Sequence, residues 1–193
     1  AYSDDELAEL LAERESGLLE LKESLEGSAP NKVRVAVCAF ANDLAARKRA
    51  GVVFIGLRDD GTSSGLEITD ELLRQLADIR TDGQILPPPS LVVERRVIHG
   101  SPVAVVTVFP LDSTPVRYQG RIWIRTGPRR ALASVQDERV LNERRRFSDR
   151  PYDLQPLRSA SLEDLDLDRF RLEYLRVAVA AGVLEANERT LEQ

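Results

Sequence analysis

The sequence is poor in the residue types that support thiol or imidazole chemistry: among 193 residues it has one cysteine and one histidine. Cys38 cannot form an internal disulfide, and it lies in the apolar stretch 33–40, so we interpret it as a small buried hydrophobic residue. A nucleophilic cysteine would need a base nearby, and the single histidine, His99, lies in a turn-like segment before Gly100. We therefore expect neither residue to take part in catalysis.

Long apolar runs are also missing. The longest ones, such as 51–55 and 103–106, are far shorter than the roughly 20 residues that a membrane-spanning helix needs. The first residues do not resemble a signal peptide. A composition of 42% hydrophobic and 31% charged residues is ordinary for a folded domain. We expect a soluble cytoplasmic protein that does not contact a membrane.

The charge is unevenly distributed along the chain. The formal net charge is −5, which by itself argues against nucleic acid as a partner. Residues 1–28 hold nine acids and two bases, whereas residues 117–150 hold ten arginines and four acids. The stretch 117–150 is therefore the one suited to phosphate.

The first half of the chain alternates between helix and strand signals. Ser3 followed by Glu6 is a capping-box pattern, and in the segment 18–22 alternation places Glu20 and Lys22 on one face of a strand. The predicted elements are a helix over 3–14, a strand over 18–22, a helix over 30–48, a strand over 51–57, a turn at Asp59-Asp60-Gly61 and a helix over 69–77.

The second half is predicted to be mainly β. Strands over 91–98, 103–109, 116–118 and 121–125 follow the stiff connector 87–89, and a helix capped by Ser134 extends to about Phe147. We predict an α+β fold, with a mixed or antiparallel sheet and flanking helices, for a domain over 1–150. For 151–193 we predict a linker and a C-terminal helical extension. Because the last residues carry no helix-stop signal, we expect the chain to lead into a further part that is missing here.

Three carboxylates and a lysine form the candidate catalytic set. Hydrolysis of a phosphodiester with a divalent ion needs two or three converging carboxylates, which Glu15, Glu20 and Asp59 supply, and Lys22 would neutralise phosphate. The alternative is a solvated strand face that carries a Glu–Lys surface pair. The spacing does not decide between them.

An arginine-rich segment is the candidate nucleic-acid-binding surface. Its cations lie in and just after a predicted hairpin, with aromatic residues between them: Arg117, Arg121, Trp123, Arg125, Arg129 and Arg130. Alternation places Trp123 on the same face as Arg121 and Arg125, which favours an exposed aromatic side chain. A solvated sheet face remains the alternative.

Four segments in this order resemble the Schlafen-type AlbA-like domain: 15–22, 39–42, 54–61, and 123–127 together with 133–134. The resemblance covers roughly 15–147. It implies a nucleic-acid-binding domain at the N-terminus of a helicase-like or transcription-regulator-like protein, with 162–193 leading toward an ATP-binding part outside this chain. Vertebrate Schlafen relatives use three acids as a metal-dependent endoribonuclease on transfer and ribosomal RNA, and those acids match Glu15, Glu20 and Asp59 here.

Two departures from the family pattern affect this transfer. After Asn42 the family has a short polar residue and a glycine pair, whereas this chain has a longer basic segment that includes Arg47, Lys48 and Arg49, which we add to the nucleic-acid-binding candidates. Arg58 stands where an acidic residue is common, and it would compete with a metal for Asp59 or bind phosphate itself.

The leading hypothesis is a nucleic-acid-binding domain, for RNA or DNA, within a larger ATP-dependent regulatory or defence protein. The first alternative is an endoribonuclease in which Glu15, Glu20 and Asp59 hold Mg or Mn and Lys22 assists. The second alternative is a protein-interaction module that forms a homodimer.

Overall fold

The computed structural model describes residues 2–13, 17–149, 154, 161–174 and 177. The chain divides into two compact units, residues 1–150 and 151–193. In the second unit, short helical turns span Leu162–Asp164, Leu167–Arg169 and Phe170–Tyr174. The rest of the helix predicted toward the C-terminus lies outside the described residues.

The first unit combines four helices with eight strands among its described residues. The helices are α1 (Asp4–Ala12), α2 (Ala29–Asn42), α3 (Asp70–Asp78) and α4 (Val135–Ser148). The strands are β1 (Leu19–Lys22), β2 (Gly51–Ile55), β3 (Ile85–Leu86), β4 (Ser90–Ile98), β5 (Ser101–Phe109), β6 (Arg117–Tyr118), β7 (Trp123–Thr126) and β8 (Arg129–Leu132).

A mixed four-stranded sheet organises this unit, with the strand order β1-β2-β5-β4. β1 and β2 are parallel because the connection between them runs through α2, whereas β2, β5 and β4 pair antiparallel. Two short ribbons, β3 with β6 and β7 with β8, lie outside it. The predicted α+β class with a mixed sheet and flanking helices is confirmed.

Each face of the sheet has its own apolar core. Along β2, Val53 and Ile55 pack into a cluster with α2 and α3, while Val52 and Phe54 pack into a second cluster with α1. All four side chains are completely buried, as expected for a central strand covered on both faces. The apolar run at 51–55 is therefore the centre of the domain.

Local sequence signals explain the starts of the helices well. Ser3 and Glu6 form the predicted capping box of α1, and Ser134 and Asp137 form another at α4. The prediction was too long for α2, which ends at Asn42 and not near Lys48. Asp43 adopts a left-handed conformation with φ of 35°, which stops the helix.

Two strands were not predicted from the sequence, β3 and β8. β8 is rich in arginine, and it pairs with β7 as a hairpin whose turn contains Gly127 at φ of 60°. This hairpin packs on α2. No helix among the described residues is long and apolar enough to cross a membrane.

Candidate nucleic-acid interface

Glu20 is the centre of a charged cluster at the edge of the sheet. Strand alternation turns Leu19 and Leu21 toward the α1 core, which leaves Glu20 and Lys22 on the opposite face as the sequence predicted. The Nζ of Lys22 donates to Oε1 of Glu20 at 2.6 Å. The acid and the base therefore form the expected pair, although the Glu20 side chain is only 10% exposed.

Two arginines of the β7–β8 hairpin complete this cluster. Arg125 donates from Nη1 to Oε2 of Glu20 at 3.0 Å, and Nη2 of Arg130 lies 3.6 Å from Oε1. The Nη2 of Arg125 also donates to the carbonyls of Leu19 and Pro128, at 2.9 and 2.7 Å. One carboxylate thus binds three cations, and the two arginines among them tie the hairpin to β1. We call Glu20, Lys22, Arg125 and Arg130 the Glu20 cluster.

The pKa of Glu20 lies below its ordinary value. Burial alone would raise it, but the hydrogen bond and charge of Lys22, with the charge of Arg130 and the hydrogen bond of Arg125, outweigh burial and lower it. Burial likewise lowers the pKa of Arg125, and the contact with Glu20 opposes this change. Both groups are charged at neutral pH, because the pKa of Glu20 is lowered and the pKa of an arginine lies far above neutral pH.

The ring of Phe40 packs against the guanidinium of Arg125. The guanidinium carbon of Arg125 lies 4.9 Å from the centroid of the Phe40 ring, a cation–π arrangement. Gly51 packs against the same ring, and a Cβ at this position would overlap it. The absence of a side chain at Gly51 therefore lets β2 approach α2 closely enough to hold the ring under Arg125.

Asn42 joins α2 to the second half of the domain. Its Nδ2 donates to the carbonyls of Val116 and Trp123 at 2.9 and 2.8 Å, and its Oδ1 accepts from the Val116 amide at 2.7 Å. The side chain is completely buried. Asn42 therefore has a structural role, because it satisfies backbone groups that the sheets leave unpaired.

Two of the three predicted metal ligands, Glu20 and Asp59, lie within the described residues. Glu15 lies outside those residues, Asp59 is exposed in the turn after β2, and both oxygens of Glu20 are engaged by cations. No cluster of three His, Cys, Asp or Glu side chains suited to a metal ion occurs in the part of the chain that the structure describes. In this arrangement both carboxylate oxygens of Glu20 bind cations of the protein itself, which a divalent ion would have to displace, and the Mg or Mn site stays a prediction.

Arg58 acts within the turn that it begins. Its Nη1 donates to the carbonyl of Ser63 at 2.8 Å, and its amide donates to the carbonyl of Thr62 at 2.8 Å. These bonds close the turn, and neither of them involves Asp59. The competition between Arg58 and a metal for Asp59 stays a prediction.

The segment between α2 and β2 is a structured basic loop. Residues 43–50 include three non-glycine residues with positive φ, namely Asp43 (35°), Ala46 (54°) and Lys48 (54°). The Asp43 carboxylate accepts from the amides of Arg47 and Lys48 at 3.1 and 2.8 Å. Such conformations cost free energy, so they persist because specific bonds hold them.

Arg144 of α4 holds the other side of this loop. Its guanidinium donates to the carbonyls of Asn42, Asp43 and Leu44 at 3.2, 2.8 and 3.1 Å. These carbonyls lie at the C-terminus of α2, where a cation also complements the helix dipole. Arg144 belongs to the arginine run 144–146, so the sequence alone does not distinguish its structural role from that of its two neighbours.

The predicted nucleic-acid-binding cations fall into three groups. Arg125 and Arg130 bind Glu20 in the Glu20 cluster, and their role in nucleic-acid binding stays a prediction. Exposed side chains without a recorded ionic partner among the described residues are those of Arg47, Lys48, Arg49, Arg121 and Arg129. Arg117 is half-buried and donates to the carbonyl of Gly120 at 3.5 Å.

Trp123 differs from the expectation of an exposed aromatic among cations. The side chain is half-buried and packs against the α2 core, while Ile122 and Ile124 enter a small cluster with Leu141 of α4. Both faces of β7 are thus covered by helices. Alternation correctly placed Trp123 opposite Ile122 and Ile124, but it could not reveal that α2 covers the tryptophan face.

An open cleft of about 350 Å³ lies between the basic loop and the β7–β8 hairpin. We call it the loop cleft. It is lined by Gly17, Leu18, Ala39, Phe40, Asp43, Leu44, Ala45, Arg47, Arg49, Arg125, Thr126, Gly127 and Asp137. Sequence reasoning missed this cleft, because its walls come from five separate segments.

Cys38 and His99 lie in different environments. Cys38 is completely buried, and burial raises the pKa of its thiol to about 11, so it is not a thiolate at neutral pH. His99 is exposed in the β4–β5 turn.

Solved structures of other proteins are similar to this chain. The crystal structure of the DIP2311 protein from Corynebacterium diphtheriae is similar, with 20% identity and a TM-score of 0.43 over 61% of this chain and 22% of that one. So is the solution structure of the N-terminal domain of a Nitrosomonas europaea protein described as related to the ATP-dependent DNA helicase RecG, with 24% identity and a TM-score of 0.42 over 57% of this chain and 74% of that one. No curated protein matches the sequence. The profile of the family described as Schlafen, AlbA_2 matches residues 15–134. Because this match covers more than half of the sequence, the chain belongs to the Schlafen, AlbA_2 family.

Proposed function

We propose that residues 1–150 form a nucleic-acid-binding domain that serves a larger ATP-dependent regulatory or defence protein. The observation that carries the proposal is the basic loop, whose cations Arg47, Lys48 and Arg49 are exposed on a backbone fixed by Asp43 and Arg144. Family membership supports the same class of partner. The ATP-dependent part belongs, in this proposal, to a region beyond this chain.

Exposed cations on an ordered backbone suit a polyanion for two reasons. Binding phosphate releases condensed counterions from nucleic acid, which favours association. A loop that is already ordered also loses little conformational entropy on binding. Arg129, exposed at the end of the β7–β8 hairpin, extends the cationic surface of the domain. This local surface explains how a chain of net charge −5 can still bind nucleic acid.

The test is a salt titration of binding to labelled RNA and DNA. We expect the logarithm of the binding constant to fall linearly with the logarithm of the salt concentration. Replacing Arg47, Lys48 and Arg49 together by glutamine should reduce that slope by about 2 to 3. The control replaces Arg74 and Arg80, exposed on and just after α3, by glutamine. Affinity independent of salt, or an equal loss in the control, would contradict the proposal.

A divalent-metal endoribonuclease is the second candidate. It is favoured by the parallel pairing of β1 with β2, which makes the strand of Glu20 the neighbour of the strand that leads to Asp59. It requires that Glu20 exchange its cations for a metal ion. Glu15, Glu20 and Asp59 would then hold Mg or Mn, and Lys22 would face the phosphate.

Cleavage assays should therefore start from the two predicted acids other than Glu20. We would incubate labelled transfer RNA with manganese and compare Asp59→Asn and Glu15→Gln with the unaltered protein. Loss of cleavage in both variants supports the nuclease, and no cleavage by the unaltered protein rejects it. Glu20→Ala alone cannot separate catalysis from folding, because its carboxylate anchors three cations.

The homodimer or interaction module is the reading to adopt if neither RNA nor DNA binds at low salt. Sedimentation of the chain over a range of concentrations would then test self-association directly.

A further inference from the structure

The size of the loop cleft matches a compact ligand. Its volume of about 350 Å³ falls in the range of roughly 300–1,000 Å³ that small-molecule sites occupy. A flat cationic surface would be enough to hold the backbone of a duplex. A cleft of this size is suited instead to a group that projects from the nucleic-acid backbone into the protein.

The cleft combines the three kinds of surface that a nucleotide needs. Arg47 and Arg49 supply positive charge for phosphate, and Phe40 and Leu44 supply apolar wall for a base. Asp137 supplies carboxylate oxygens that can accept from an N–H of a base or a hydroxyl of a sugar. Hydrogen bonds from Ser134 lower the pKa of Asp137, so this acceptor is ionised at neutral pH.

The cleft is also formed before any ligand arrives. Asp43 holds the loop amides, Arg144 holds the preceding carbonyls, and Arg125 is fixed over Phe40 by Glu20. At the wall formed by Gly17, an added Cβ would lie 2.9 Å from the Arg47 guanidinium and from the Gly127 carbonyl. The segments around the cleft are therefore in close contact, and binding requires little reorganisation.

We infer that the loop cleft receives one unpaired nucleotide, so that the domain binds single-stranded nucleic acid in preference to duplex. A base inside a duplex is stacked and paired, and reaching this cleft would require breaking those contacts first. A base in a single strand can enter directly. The inference rests on the proposed nucleic-acid function and specifies which form is bound.

The experiment compares an unstructured single strand with the blunt duplex of the same sequence, by fluorescence anisotropy at one fixed salt concentration. We expect the single strand to bind about tenfold more tightly, as gained by one well-seated base. Ala45→Leu narrows the cleft without changing charge, since Ala45 is an exposed lining residue. It should lower single-strand affinity about tenfold and leave duplex affinity unchanged.

Ala12→Leu makes the same change on the exposed end of α1, outside the cleft, and should alter neither affinity. Thr126→Leu narrows the cleft from the hairpin side and should repeat the Ala45→Leu result, which guards against a folding defect in one variant. Equal affinity for strand and duplex, or no selective loss in both cleft variants, overturns the inference and leaves the proposed function standing. If neither form binds at low salt, the proposed function and the inference fail together.

Discussion

The Glu20 cluster and the basic loop both contain arginine and lysine, but these side chains are largely buried in the cluster and exposed in the loop. In the cluster, Arg125 is 8% exposed and shares one carboxylate with Lys22 and Arg130. In the loop, Arg47 and Arg49 are exposed and have no recorded ionic partner among the described residues. A cation in the first region stabilises the domain, whereas a cation in the second is available to a ligand.

This difference shows why the count of arginines was a poor guide to the interface. Arg125 and Arg129 lie four residues apart in one hairpin, yet only Arg129 is exposed. Arg125 is held in place by Glu20 of β1, which lies more than a hundred residues earlier in the sequence. The following predictions test this division, beginning with the largest expected effect on stability.

The largest effect is expected from Glu20→Ala. Removing the carboxylate leaves the nearly buried Arg125 and the half-buried Lys22 without their ionic partner, and breaking a buried pair typically costs about 3–5 kcal/mol. We expect a loss of about 3 kcal/mol in the free energy of unfolding, measured by urea denaturation. The exposed Glu26→Gln is the control, and a Glu20→Ala loss no larger than that of Glu26→Gln would contradict the structural role of the cluster.

A second effect follows from the depressed pKa of Glu20. A carboxyl group whose pKa is lower in the folded state adds stability above its ordinary value of 4.5, and this contribution is lost as the pH falls through the folded pKa. The stability difference between the unaltered protein and Glu20→Gln should therefore be largest at neutral pH and shrink below 4.5. Denaturation curves at a series of pH values measure it, and a difference that grows in acid would show the opposite shift.

Gly51→Ala should disturb the support of the cluster. The added methyl group overlaps the Phe40 ring, so the ring must move away from β2 and from under Arg125. Overpacking of this kind costs about 1–3 kcal/mol. Thermal and urea denaturation report the loss, and the control makes the same substitution in a background that carries Phe40→Leu. There Gly51→Ala should cost less, because the overlapping ring is gone. An equal cost in the two backgrounds would remove the packing explanation.

The smallest effect on stability is expected in the basic loop. Replacing Arg47, Lys48 and Arg49 by glutamine removes exposed charges that form no ion pair within the described residues, so the free energy of unfolding should change by no more than about 0.5 kcal/mol. Binding to nucleic acid should nevertheless weaken strongly at low salt. A large stability loss in this variant would mean that the loop cations, like Arg125, are structural.

The sequence predicted much of the fold because its signals are local. The capping boxes at Ser3 and Ser134, and the fully apolar run 51–55, identified helices and a central strand at nearly their observed positions. The failures have equally specific causes. The apolar period after Asn42 favoured a longer helix, but Asp43 turned left-handed and bound two loop amides. The arginine-rich β8 carries no apolar alternation, because pairing with β7 defines it.

For the candidate site, alternation in β1 was sufficient to pair Glu20 with Lys22, because the period of a strand is a property of the local backbone. The order of four short segments was likewise sufficient to identify the family. Which arginines bind Glu20, which remain in solvent, and where the loop cleft forms were decided only by the packing of the β7–β8 hairpin on α2. The physical reason is that burial and ion pairing depend on neighbours distant in sequence, and only the tertiary structure brings those neighbours together.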